Sequence, residues 1–271
     1  MVKKPLFYAL VGLALLACYA STLRGMFNQW ITDDDMGHGM IVPLVIAWII
    51  WRERARWTEI EPAPSLWGWL LVAAGAGLHL MGALGGGLFV SSVGLLASAV
   101  GAVIALGGFR FLRTWSFPLV LALFMLPKLA IVYNQATLPL QLTASKLAAA
   151  LLTVTGFGVI RSGNILEVRG HQILVAEACN GIRYLLPLGF VAALLGYLTE
   201  ARMWVRWALV LSAAPVAILS NSVRVAVAGA YPAFAEGTLH ALSGVVIFSF
   251  SLALLGGVLQ TFRRISEGSH A

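Results

Sequence analysis

Charge is what this chain has least of. Charged side chains make up 11% of the 271 residues while 60% are apolar, and soluble domains are roughly a quarter charged. That balance excludes an ordinary water-soluble fold and points to a polytopic membrane protein. Cysteine is nearly absent, with only Cys18 and Cys179, which excludes a disulfide framework and any CxxC pair. Cys18 lies inside the first apolar run, where a free thiol acts as a small hydrophobe. No His, Cys, Asp or Glu group has metal-ligand spacing, and no Gly-rich loop has the strand–helix context of a phosphate site. Neither a metal nor another cofactor is therefore expected. The net charge of +7 is accounted for by membrane topology and does not indicate a nucleic-acid partner.

What is present is a series of apolar runs, and about 20 such residues cross a bilayer core. The first runs from Leu6 to about Leu23, and is too long for a signal-peptide core, so it reads as a retained span. A polar loop follows, with Arg24 and the acidic triplet Asp33, Asp34 and Asp35, ending at Gly37-His38-Gly39. Further spans are expected at Met40–Trp51, Leu66–Leu84, Leu88–Leu106 and Trp115–Tyr133, the last interrupted by Pro118 and Pro127. Three more are expected at Ile182–Leu198, Trp207–Ser222 and Leu239–Phe262.

Residues 134–178 differ. Leu138–Gly156 reads as a helix whose apolar surface is broken by Gln141, Thr143, Ser145 and Lys146. Val159–Val175 has β-branched residues at near-alternating positions and two Gly-containing turns, the pattern of a short β-meander. The expected fold class is thus all-α and polytopic, with about eight transmembrane helices and the meander before the sixth. With both termini cytoplasmic, the inside loops carry Arg52, Arg54, Arg56, Arg110, Arg113, Arg202, Arg206, Arg263 and Arg264, the expected positive-inside asymmetry. A ninth span at Leu138–Gly156 reverses the later clusters, so that helix is expected to lie in the interface plane, where Lys146 can snorkel. The whole chain then forms one integral-membrane domain, with 134–178 as an outward-facing insert and no separate soluble domain.

Polar groups near membrane depth are costly and usually functional. In the eight-span topology, Cys179, the pair Asn221 and Arg224, and His240 fall at the outer mouths of three successive helices. A thiolate is a strong nucleophile at neutral pH, favoured by a helix N-terminus and nearby cations. Histidine can take a proton and return it to a leaving amine. Arg224 is too basic to serve as a base, so its role would be to hold an oxyanion or a carbonyl. Asn221, one turn before it, can orient it. The set suits acyl transfer through a thioester. Each residue also has a plainer reading: Cys179 as packing or a lipidation site, Arg224 as a snorkelling cation, His240 as an interfacial residue, and Glu177 with Arg183 as a flanking pair. His79, inside an apolar run, reads as a core hydrogen bond ahead of a relay.

The segments Glu177-Ala178-Cys179-Asn180-Gly181-Ile182-Arg183, Asn221-Ser222-Val223-Arg224 and His240-Ala241-Leu242-Ser243-Gly244, in this order, resemble the exosortases. The resemblance extends to Asp35-Met36-Gly37-His38-Gly39-Met40-Ile41-Val42-Pro43, to Phe117-Pro118 and to Met125-Leu126-Pro127, and spans about residues 30 to 260. It implies a multi-pass protein of the bacterial inner membrane that acts as a cysteine peptidase and transpeptidase facing the periplasm. Its partners would be exported proteins with a PEP-CTERM tail, a lipid or polysaccharide acceptor, and membrane lipids. Cys179 would be the nucleophile, with Arg224 and His240 completing the site and Asn221, Arg183, Glu177, Asn180, His38 and Ser243 in support. Asn180 and Gly37 stand where the family commonly has Ser, which leaves the subtype open. The reading from another class is a non-catalytic transporter or assembly subunit for exopolysaccharide export.

Overall fold

The computed structural model describes residues 3–175 and 181–268. Two compact units divide it, Met1–Leu129 and Ala130–Ala271.

In the first unit, α1 (Lys3–Cys18) and α2 (Ala20–Thr32) form a pair bent by 68°. The bend sits at Tyr19, which is 2% exposed. Its hydroxyl donates to the Gly94 carbonyl at 3.1 Å and pairs with Ser98 Oγ at 2.7 Å. Its ring lies 4.4 Å from that of His79, whose Nδ1 meets Thr22 Oγ1 at 3.2 Å. The expected core hydrogen bond of His79 is therefore present. After a turn at Gly37–Met40 come α3 (Val42–Arg52) and α4 (Arg54–Thr58).

Helices α5 (Leu66–Met81) and α6 (Gly87–Leu121) form a hairpin closed by one π-helical turn. Small residues set its closeness, as small-residue stripes do between membrane helices. A Cβ on Gly68 or Gly75 would lie within 2.1 Å or 2.3 Å of α6 atoms. Helix α6 breaks at Gly108 (φ 83°).

The expected span Trp115–Tyr133 is not a single helix. Helix α6 ends at Leu121, a 3-10 turn covers Ala122–Met125, and α7 starts only at Ala130. Proline drives the residue before it out of the helical region, and Leu126, before Pro127, is extended (φ −64°, ψ 138°).

In the second unit, α7 (Ala130–Val154) begins eight residues before the expected helix start at Leu138 and carries Pro139 internally. The meander forms as expected: β1 (Val159–Ser162), β2 (Ile165–Val168) and β3 (His171–Leu174) make an antiparallel sheet in that order. Arg169 (φ 51°) and Gly170 (φ 79°) supply the two positive φ values that a primed hairpin turn needs. Leu166 and Val175 are buried against Ala144 and Ala148 of α7 and Val225. Helices α8 (Ile182–Thr199), α9 (Met203–Ala230) and α10 (Gly237–Gly268) follow. They share a core that includes Leu188, Leu209, Ala213, Ile247 and Leu255.

Among the described residues, five stretches are long and apolar enough to cross a membrane, or six with the bent α1–α2 pair. One of the five, Leu66–Met125, folds back on itself at the π-helical turn, so it contains two of the expected spans. Helix α3 is too short to qualify, and α7 qualifies. The chain is thus an all-α polytopic membrane protein with a small antiparallel sheet, and length and composition do not by themselves confirm the expected count of eight.

Candidate functional site

Helix α8 can begin where it does because Gly181 adopts φ 84°, a left-handed conformation that glycine takes without steric cost. Its carbonyl then accepts from the backbone N–H groups of Tyr184 and Leu185. Gly181 also packs on α9: a Cβ there would lie 3.6 Å from the Asn221 Cβ. The start of α8 and the Asn221–Arg224 turn of α9 are therefore in contact.

Arg224 is 4% exposed, and its guanidinium is held from the two neighbouring helices, α8 and α10. Nη1 donates to the Tyr184 hydroxyl of α8 at 2.8 Å. Nη2 donates to His240 Nε2 of α10 at 2.9 Å and to the His240 carbonyl at 3.1 Å. Nε reaches Ser243 Oγ at 3.4 Å, while that hydroxyl donates to the His240 carbonyl at 2.7 Å. The guanidinium carbon stands 5.8 Å over the Tyr184 ring, which stacks in turn on Phe248. Gly244 permits this crowding, since a Cβ there would lie 3.3 Å from both Arg224 Nη2 and the Tyr184 hydroxyl.

Donor and acceptor rules fix the imidazole. Guanidinium nitrogens only donate, so His240 Nε2 presents its lone pair to Arg224. His240 Nδ1 lies 3.0 Å from the Phe234 carbonyl, which only accepts, so the ring proton is on Nδ1. Of the five guanidinium N–H groups, four have partners among the described residues, and the fifth is on Nη1. Arg224 is thus fixed in place with one donor to offer, and His240 holds a lone pair that the same cation covers.

Of the residues singled out in the sequence, Arg224, His240 and Ser243 are brought together, with Asn221 one turn away and Arg183 beside Tyr184 in the first turn of α8. Cys179, Glu177 and Asn180 lie outside the described residues. Tyr184 is the participant that sequence reading misses. Its signal is a tyrosine at the start of an apolar helix, where a buried hydroxyl must find a partner. Among the described residues, no three His, Cys, Asp or Glu side chains gather as a metal would require.

His38 belongs to the other unit. Its turn is braced by Lys128, whose Nζ meets Asp33 at 2.7 Å and Asp35 at 2.9 Å. Gly39 packs under the Trp30 indole, which donates to the Met125 carbonyl. Neither His38 ring nitrogen reaches hydrogen-bond geometry among the described residues. Burial pushes its pKa below the usual imidazole value, and nearby backbone of Phe124 and Asp35 offsets this in part.

A family model described as "Transmembrane exosortase (Exosortase_EpsH)" matches residues 30–257. No curated protein and no solved structure matches the chain.

Proposed function

The chain belongs to the transmembrane exosortase family, multi-pass membrane proteins with a transpeptidase role in general; from that premise we propose that it cleaves the PEP-CTERM tail of exported proteins through a thioester on Cys179. One observation carries the reading: the cluster of the buried Arg224 and Tyr184 with the half-buried His240 adjoins the Asn221–Gly181 contact. Gly181 is two residues from Cys179, and two extended residues reach at most about 7 Å. The cluster is therefore within short covalent reach of the one thiol that the sequence places at the head of a helix.

In this reading the arriving substrate draws the Arg224 guanidinium off His240 Nε2, the Cys179 thiol gives its proton to that nitrogen, and the sulfur attacks the scissile carbonyl. Arg224 stabilises the negative charge that develops on the carbonyl oxygen. As the intermediate collapses, the C–N bond breaks and Nε2 returns the proton to the leaving amine. An amine, a hydroxyl or water then attacks the acyl-enzyme and frees the thiol. The site faces the periplasm of a bacterial inner membrane, both termini are cytoplasmic, and a lipid or polysaccharide is the acceptor. The chain acts as one integral-membrane domain.

The test is Cys179→Ala and Cys179→Ser in cells making an epitope-tagged PEP-CTERM protein. The thioester mechanism requires that both variants accumulate the uncleaved form. Continued processing in either would eliminate it. Trapping the acyl group with an added amine separates transfer from plain hydrolysis.

A further inference from the structure

A second polar site stands apart from the Arg224 cluster, on α7 and the tip of the first hairpin. Leu142, Thr143, Lys146, Leu147, Arg161 and Gly163 line an open cavity of about 530 Å³. Its wall is braced. The Gly163 carbonyl accepts from Ser145 Oγ at 3.0 Å and from Arg161 Nη1 at 2.7 Å. Next to it, Asn164 Nδ2 donates to Gln141 Oε1 at 3.2 Å and to the Val175 carbonyl at 3.3 Å. The hairpin tip is thus fixed to the helix before any ligand arrives.

The cavity holds two cations and no carboxylate. Among the described residues, neither Lys146 nor Arg161 has an acidic partner, whereas Lys128 meets Asp33 and Asp35, Arg263 meets Glu200, and Arg56 meets Glu53. Arg161 pairs across the sheet with Leu166, so it shares the face turned toward α7, while Glu167 pairs with Ile160 on the opposite face. Two like charges brought together without a counter-ion favour an anion between them.

The surroundings are apolar. Leu138 and Leu142 stand four residues apart on the stripe that ends at Lys146, and both are exposed. A stripe of exposed leucines leading to a dicationic cavity matches acyl chain below and phosphate above.

We propose that this cavity binds the headgroup of an anionic phospholipid, with Lys146 and Arg161 on the phosphate and the Leu138–Leu142 stripe along the chain. Recognition is by charge and chain together, so a free phosphate satisfies only half of it. The site is independent of the chemistry at Cys179.

The experiment uses the full-length protein in a zwitterionic detergent, titrated with short-chain phosphatidylglycerol or phosphatidylcholine, with binding read by native mass spectrometry. Two cations near an anionic headgroup are expected to favour phosphatidylglycerol by about thirtyfold, and added salt is expected to shrink that ratio. The double variant Lys146→Gln/Arg161→Gln is expected to abolish the preference. Lys146→Gln alone, at an exposed side chain with no bonded partner among the described residues, is expected to cost about fivefold. Arg110→Gln/Arg113→Gln, in the other unit, is expected to leave it intact. Equal binding of the two lipids, or a preference that survives the double variant, overturns the proposal. Inorganic phosphate competing as well as phosphatidylglycerol would make this a phosphate site and would equally overturn the lipid assignment.

Discussion

Removing the Tyr184 hydroxyl should cost more stability while Arg224 is present to use it. Tyr184→Phe keeps the ring, and so keeps the stacking on Phe248 and the face beneath the guanidinium. It deletes one acceptor, 2.8 Å from Nη1, in a pair that is 4% and 5% exposed. A hydrogen bond to a charged group contributes about 1.5–3 kcal/mol, and an orphaned buried donor adds to that loss. We therefore expect Tyr184→Phe to destabilise the protein by about 2 kcal/mol, close to a thirtyfold change in the folded-to-unfolded ratio. In an Arg224→Gln background the same change should cost less, and a double-mutant cycle should show a coupling of about 1.5 kcal/mol. Equilibrium unfolding in mixed micelles measures all four corners. Costs that add to within about 0.5 kcal/mol would refute the claim that the hydroxyl acts through the guanidinium. If the proposed chemistry holds, processing should fall in Tyr184→Phe with the nucleophile intact, because a guanidinium freed on one side no longer points at one place.

Gly244→Ala places a methyl 3.3 Å from Arg224 Nη2 and the Tyr184 hydroxyl. The neighbours must yield by tenths of an ångström, and processing should drop more than thermal stability does. Gly181→Ala imposes a side chain at φ 84°, an expected cost of about 1–2 kcal/mol, readable in the unfolding midpoint. Lys128→Ala leaves Asp33 and Asp35 without their shared cation, and should destabilise the first unit by about 2 kcal/mol, an effect visible as faster proteolysis of the Gly37–Met40 turn. For His38 the folded pKa lies below the unfolded one, so the unfolded chain takes up the proton first as the pH falls. Its contribution is complete above the usual histidine pKa and declines as acid passes below that value toward the lower folded one. His38→Phe should flatten that limb of the stability profile, and an unchanged profile would remove His38 as its source.

The meander was legible because alternation of period 2 and two glycine turns agree with one another, and nothing in the surrounding oil competes with them. The Arg224–His240 pairing was legible because cation and imidazole are both rare in such a chain, so their chemistry singles them out. Span boundaries were harder to read. Hydropathy does not report where the backbone stops being helical, and at Leu126 that is decided by the local steric demand of Pro127. Conversely, Pro139 sits inside α7 without ending it, so a single residue type gives opposite outcomes in two apolar runs. Tyr184 and Lys128 escaped because each looks ordinary in its own segment. Their partners lie 40 and more than 90 residues away, and no local pattern carries that information.

The placement of one proton has a further consequence. With Nδ1 committed to Phe234 and Nε2 facing a cation, His240 has no basic atom free at rest. Whatever draws the guanidinium aside, such as an arriving carboxylate, uncovers the base in the same motion. If the proposed chemistry holds, such a centre stays chemically quiet until something anionic enters it, and Cys179 is spared reaction with every passing peptide.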